Sequence, residues 1–263
     1  MSELVTLLSD LSDEHGALDA LVAPLPDAHW HRATPAAGWS VADQIAHLAY
    51  FDAAAAQAIS DASAFARARD ALVHAAFAEG VDDFTLHAFR EMSPADILTR
   101  WRDSREALLG AGATLDPSAR LPWYGPDMSA RSFLTARLME TWAHGVDVAD
   151  ALDVALRDSA RLAHIVRLGY LTRDWSYRVR GEAPPETVVA IRLRDSRGTT
   201  YEHGPSDAEE VITGPALDFC LVVTQRRHVD DTSLVTGEWG RHWMLRAQAF
   251  AGGPTTGPAP RAA

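Results

Sequence analysis

Gly38-Trp39-Ser40-Val41-Ala42-Asp43-Gln44-Ile45-Ala46-His47-Leu48 is the stretch from which the fold can be read. Ser40 followed three residues later by Asp43 has the S-x-x-D form of a capping box. In that arrangement the hydroxyl accepts from an amide of the first helical turn, and the carboxylate reaches back to the amide of the cap residue. This predicts a long helix running from Ser40 through roughly residue 76, with His47 set amid Ile45, Ala46, Leu48 and Ala49.

On the N-terminal side, Leu4, Leu7, Leu11, Leu18, Leu21 and Leu25 recur at helical spacing, and Pro24 and Pro26 end that element. On the C-terminal side, Ser93, Pro94 and Asp96 supply an N-cap, a proline at the first helical position and an acid in the first turn. They open a third helix that ends near Gly110 and Gly112. Gly125 and Pro126 close the next loop, and Ser129 caps a fourth helix reaching about Leu152. Four amphipathic helices with one or two longer connections describe a four-helix bundle, over residues 1–155.

The pattern then changes. Residues 156–251 read as a smaller α+β domain, which makes the whole chain α+β. Ser159 to Val179 is one helix linking the two parts. Thr187 to Leu193 alternates and is β-branched, Asp195 to Gly198 forms a turn, and Thr199 to His203 completes a hairpin. Glu210 to Thr213 is a short strand, followed by a helix through about Arg227. A last helix carries Trp239, Trp243, Ala247 and Phe250 on one stripe, and residues 252–263 read as a disordered tail.

Composition narrows the chemistry. Apolar residues make up 47% of the 263, enough for a real core. The net charge of -12 is spread along the chain, which disfavours nucleic acid and anionic membrane as partners, because both need clustered cations. All 24 basic residues are arginine, so Schiff-base, pyridoxal-phosphate and P-loop chemistry, each requiring lysine, are excluded. Cys220 is the one cysteine, which rules out an intrachain disulfide, and its apolar neighbours make it a core residue. There is no signal-peptide pattern and no apolar run of about 20 residues, so a cytoplasmic protein is expected, acting on a small molecule as a monomer or homodimer.

Glu140 and His144, four apart on the fourth helix, share one face, with Arg137 and Asp147 on adjoining parts of it. Positions on different helices of a bundle can meet in its core, which is how bundle metal sites are built, and His47 is the candidate third ligand. The ordinary reading of such residues is a solvated Glu/His pair and a satisfied core histidine, and spacing alone leaves both readings open. Two imidazoles and a carboxylate on one ion would leave coordination positions open, as catalytic sites do.

The segment Gly38 to Leu48 resembles the W-S-x-x-D-x-x-x-H-L signature of the DinB-like metal-binding superfamily. Leu138-Met139-Glu140-Thr141-Trp142-Ala143-His144-Gly145-Val146-Asp147-Val148 resembles its E-x-x-x-H helix. The form is similar to the mycothiol-dependent maleylpyruvate isomerase-like family and its actinobacterial metal-binding subgroup. The resemblance implies a DinB-like bundle followed by a sterol-carrier-like domain, the latter carried by Val211 to His228. It implies one divalent ion on His47, Glu140 and His144, and mycothiol as a thiol cofactor. It also implies a catalytic arginine in the second domain, for which Arg226 and Arg227 are the candidates. The donor set suits zinc, and such sets also take iron, nickel, cobalt or manganese.

The activity so implied is a metal-dependent isomerase or thiol transferase acting on an electrophilic or anionic metabolite. The alternatives are a thiol-independent metal enzyme of biosynthesis and a non-catalytic binding protein. His29 and His31 have H-x-H spacing but read as loop or surface residues. Trp123 and Tyr124 read either as a pocket rim or as packing at a bundle end. Asp43 reads as a cap, with orientation of His47 as its second candidate role.

Overall fold

The computed structural model describes residues 3–78, 81–156 and 158–261. The chain divides into two compact units, Met1–Leu156 and Arg157–Ala263.

In the first unit the order is α1 (Glu3–Val22), α2 (Asp27–Trp30), α3 (Val41–Ser60), α4 (Ala62–Ala78), α5 (Val81–Arg90) and α6 (Pro94–Ala113). A two-stranded ladder, β1 (Arg120–Leu121) with β2 (Met128–Ser129), leads into α7 (Ala130–Ala151). Helix α3 packs on α6 and α7, and α1 packs on α7 and α6, so the four long helices close around one core. Leu7, Leu11, Ile45, Leu48, Trp101, Leu108 and Phe133 are fully buried there. Each such side chain contributes about 1.5–3 kcal/mol relative to exposure.

The capping box forms as its sequence predicts. The Ser40 side chain accepts from the Asp43 amide, and the Asp43 carboxylate accepts from the Ser40 amide. Ser93 and Ser129 cap α6 and α7 in the same way through their side-chain oxygens. The helix expected to continue to residue 76 is instead broken. Helix α3 stops at Ser60, and Asp61 accepts from the amide of Ala64 to start α4. A short acidic side chain offers the backbone an alternative to the helical ladder, and here that alternative wins. Helix α5, which fills the α3–α6 connection with α4, has no counterpart in the four-helix expectation.

The second unit comprises α8 (Leu162–Leu171), α9 (Arg173–Arg178), β3 (Val189–Arg194), β4 (Thr200–His203), β5 (Glu210–Pro215), α10 (Ala216–Val223) and α11 (Glu238–Met244). The sheet order is β4-β3-β5, with β3 antiparallel to β4 and parallel to β5. The β3–β4 hairpin turns on Asp195, whose carboxylate accepts from the amides of Arg197 and Thr199 and from the Tyr201 hydroxyl. Helix α8 packs on α10, and a side chain at Gly169 would come within 2.8 Å of Val223. Cys220 is fully buried, and burial pushes its thiol well above the ordinary range.

Three expected helices are shorter than the sequence implied. The stretch 159–179 breaks at Thr172, whose hydroxyl donates back to the Leu168 carbonyl. Helix α10 ends at Val223 because Gln225 adopts φ 60, and the amides of Arg226 and Arg227 both turn back to the Leu221 carbonyl. Such a left-handed residue closes a helix. Helix α11 ends at Met244, so Trp243 is core while Ala247 and Phe250 lie beyond the helix, and Trp239 is only half-buried. The tail from Gly252 is exposed, but Thr255 bonds Gln225 and Gln248; residues 262 and 263 of that expected tail lie outside the described residues. Among the described residues no helix is long and apolar enough to cross a membrane.

Candidate metal centre

Helices α3 and α7 pack side by side, and that contact brings His47 to Glu140 and His144. His144 Nε2 lies 3.3 Å from Glu140 Oε2, and His47 Nε2 lies 3.9 Å from the same oxygen. Each of the three offers one donor atom, and these atoms lie within 4.8 Å of one another. Bonds of about 2.0–2.2 Å to a shared ion would hold donors roughly 3.0–3.5 Å apart, so small side-chain adjustments suffice. Among the described residues this is the group of His, Cys, Asp and Glu with metal-binding geometry, and His29 and His31 are not part of it.

The electrostatics suit a cation. Burial alone would raise the Glu140 carboxyl. The neighbouring His144, Arg137 and His47 outweigh it and hold the pKa at about 2. Glu140 is therefore an ionised candidate donor at any working pH, and its side chain keeps 24% exposure.

The surroundings restrict the two imidazoles. Trp39 stacks on the His144 ring at 5.9 Å with an interplanar angle of 11°, and leans on His47 at 5.1 Å. The Trp39 indole N–H donates to Asp82 at the start of α5. Phe51 lies 4.5 Å from His47, and Tyr124 and Trp123 pack on Phe51 in turn. The aromatic loop singled out in the sequence thus stands one ring away from the site.

Gln44 was not anticipated. It is fully buried, and its Oε1 lies 2.5 Å from His144 Nδ1. This contact directs Nε2 at Glu140 and at the place an ion would take, and so the residues fit a divalent metal. The sequence signal, a polar residue one turn before His47 within an apolar stretch, was legible but ambiguous. Asp43 serves the cap: Oδ2 accepts from the amide and hydroxyl of Ser40, and Oδ1 from Arg90. Arg137 is occupied deeper in the bundle, donating twice to Asp52. Arg226 and Arg227 belong to the other unit, half-buried in the loop after α10, where each donates to a local carbonyl.

Comparison with known proteins agrees with this architecture. Residues 11–149 match the family model described as the mycothiol maleylpyruvate isomerase N-terminal domain. Two Mycobacterium tuberculosis proteins, both described as uncharacterized, are 43% identical over 258 residues, covering 98% of this chain and all of theirs. Crystal structures of the mycothiol-dependent maleylpyruvate isomerase and of a histidine-to-alanine mutant of it superpose with a TM-score of 0.59. Their identity is 17% and 16%, over 89% of this chain and 93% of theirs, and at that level the likeness concerns the fold. With more than half its length matched by the family model, the chain belongs to the DinB-like mycothiol maleylpyruvate isomerase N-terminal domain family.

Proposed function

We propose that the protein is a divalent-metal-dependent enzyme, a mycothiol-dependent isomerase or S-transferase acting in the cytoplasm on a small electrophilic or anionic metabolite. The observation that carries this reading is the cluster of two imidazole nitrogens and one ionised carboxylate on adjacent helices, with one imidazole already oriented. Family membership supports it, as does the activity named for the protein whose fold this chain shares.

A divalent ion here supplies Lewis acidity and lowers the pKa of a bound thiol or water. The chain's own residues do the rest. His47 and His144 give neutral nitrogen donors, and Glu140 gives the one negative charge. With three protein ligands, positions remain for a thiol and a substrate. Trp39 packs against both imidazoles and Phe51 against that of His47, which restricts their ring positions. In the second unit, proposed as a small sterol-carrier-like domain, Arg226 or Arg227 is proposed to bind the substrate's anionic group. A guanidinium fork suits a carboxylate.

The test is metal content after reconstitution with zinc, with a thermal melt in the presence of mycothiol. About one equivalent is expected in the native protein and none in Glu140→Gln. Mycothiol at about 100 times its Kd adds about 2.7 kcal/mol of stability, and should raise the Tm only in the metal-loaded protein. Metal below ~0.2 equivalents would sink the metal reading, because ligand linkage would then be absent. A metal-loaded protein whose Tm ignores mycothiol would sink the thiol reading alone.

A further inference from the structure

Gln44 and Thr34 form a relay whose hydrogen-bond polarity is fixed from one end. The Thr34 amide donates to the Trp39 carbonyl at 2.8 Å, and the Thr34 hydroxyl donates to the same oxygen at 3.0 Å. With its proton committed there, the hydroxyl oxygen can only accept, and it accepts from Gln44 Nε2 at 2.8 Å. The amide orientation of Gln44 follows: the atom left for His144 is Oε1, an acceptor. His144 Nδ1 must then carry the proton, and Nε2 is the atom turned to Glu140. The flipped amide would require Thr34 to withdraw its proton from Trp39, leaving two hydrogen bonds in place of three.

We infer that Gln44, its amide oriented by Thr34, is a positioning residue that fixes the tautomer and ring direction of His144 so that Nε2 is presented as a metal ligand. The inference rests on the metal-dependent reading above and goes beyond it by assigning the outer support of the site. Metal-bound histidines commonly donate their second N–H to an acceptor, which both orients the ring and raises its basicity. Here the acceptor is a neutral amide, fully buried and on the same helix as His47, so α3 contributes one ligand directly and holds another. Trp39 serves the same imidazole twice, its carbonyl anchoring the relay and its indole stacked on the ring.

The experiment uses the full chain with Zn(II), affinity being measured by competition against a chelator. The visible spectrum of the Co(II)-loaded protein reports ligand geometry. Gln44→Met keeps length and volume but removes the acceptor, and should weaken zinc about 10–100-fold and alter the cobalt bands. Gln44→Glu keeps an acceptor and should bind zinc within a few-fold of wild type or more tightly. Thr34→Val, a smaller change, releases the amide to flip and should fall between wild type and Gln44→Met. A packing role alone would give the opposite order, because a carboxylate is the worse guest in a buried site, and the melts of the metal-free variants would show it. Zinc binding by Gln44→Met within about twofold of wild type, with unchanged cobalt bands, overturns the relay and leaves the metal site standing. If Gln44→Met does not fold, equal zinc affinity in Thr34→Val and wild type overturns it. A wild-type protein that takes up no zinc overturns the proposed function, and this inference with it.

Discussion

Asp52 shows how a single residue ties the bundle together. It is fully buried on α3, where Oδ1 accepts from Nε and Nη2 of Arg137, at 3.1 and 2.9 Å, and Oδ2 accepts from the Trp101 indole. His15 Nε2 stands 3.5 Å away, so four long helices contribute to one carboxylate. Burial would raise this carboxyl, but the Arg137 charge, the His15 contact and the Arg137 hydrogen bonds hold it below the ordinary value. A depressed carboxylate stabilises the fold above its unfolded pKa of about 3.9, and that stability is lost as pH falls through the folded value. Asp52→Asn leaves the Arg137 guanidinium buried without its counter-charge. It should cost about 3–5 kcal/mol at pH 7. In urea unfolding from pH 7 to pH 3, the wild type should lose stability at the acid end more steeply than the variant. Equal slopes would show that Asp52 is not an ionised partner. Nothing local marks this pairing in the sequence, because Asp52 and Arg137 are 85 residues apart.

At the scale of elements, the N-terminus of α3 carries the decisive stretch. Ser40 and Asp43 close a reciprocal cap, and Arg90 from the end of α5 joins the carboxylate at 2.9 Å. Replacing Ser40 by alanine should cost about 1 kcal/mol. Asp43→Ala should cost somewhat more, because the ion pair to α5 goes as well. Neither change should lower zinc stoichiometry, since the carboxylate serves the cap. Loss of zinc in Asp43→Ala with the fold intact would instead give Asp43 a direct role at the site. The caps, and with them most helix starts, were legible because a cap is a contact between residues three apart. The break at Asp61 and the early end of α10 were not. In both places two local hydrogen-bonding options compete, and the surrounding packing selects one.

At the scale of the molecule, the chain pairs a helical bundle with an α/β unit built on a three-stranded mixed sheet. All three candidate ligands, together with Gln44 and Thr34, lie in the first unit, and Arg226 and Arg227 lie in the second. The candidate ligand set is therefore complete without those arginines. Arg226→Ala and Arg227→Ala should each keep wild-type zinc affinity, measured by chelator competition. A tenfold loss in either variant, with the bundle still folded, would show that the site depends on the second unit.

The sequence by itself determined what depends on neighbours along the chain. It fixed the helix starts at Ser40, Ser93 and Ser129, the Asp195 turn of the hairpin, and the adjacency of Glu140 and His144 one turn apart. The motif resemblance nominated His47 as their partner, but helical spacing carried no information on that point. Only the tertiary structure decided that His47 meets the pair, that Gln44 is the acceptor behind His144, and that Asp52 neutralises Arg137. The physical reason is the same in each case. The register of α3 against α7 is set by how two whole buried surfaces interlock. A one-residue slip would leave every helix intact and disperse the site.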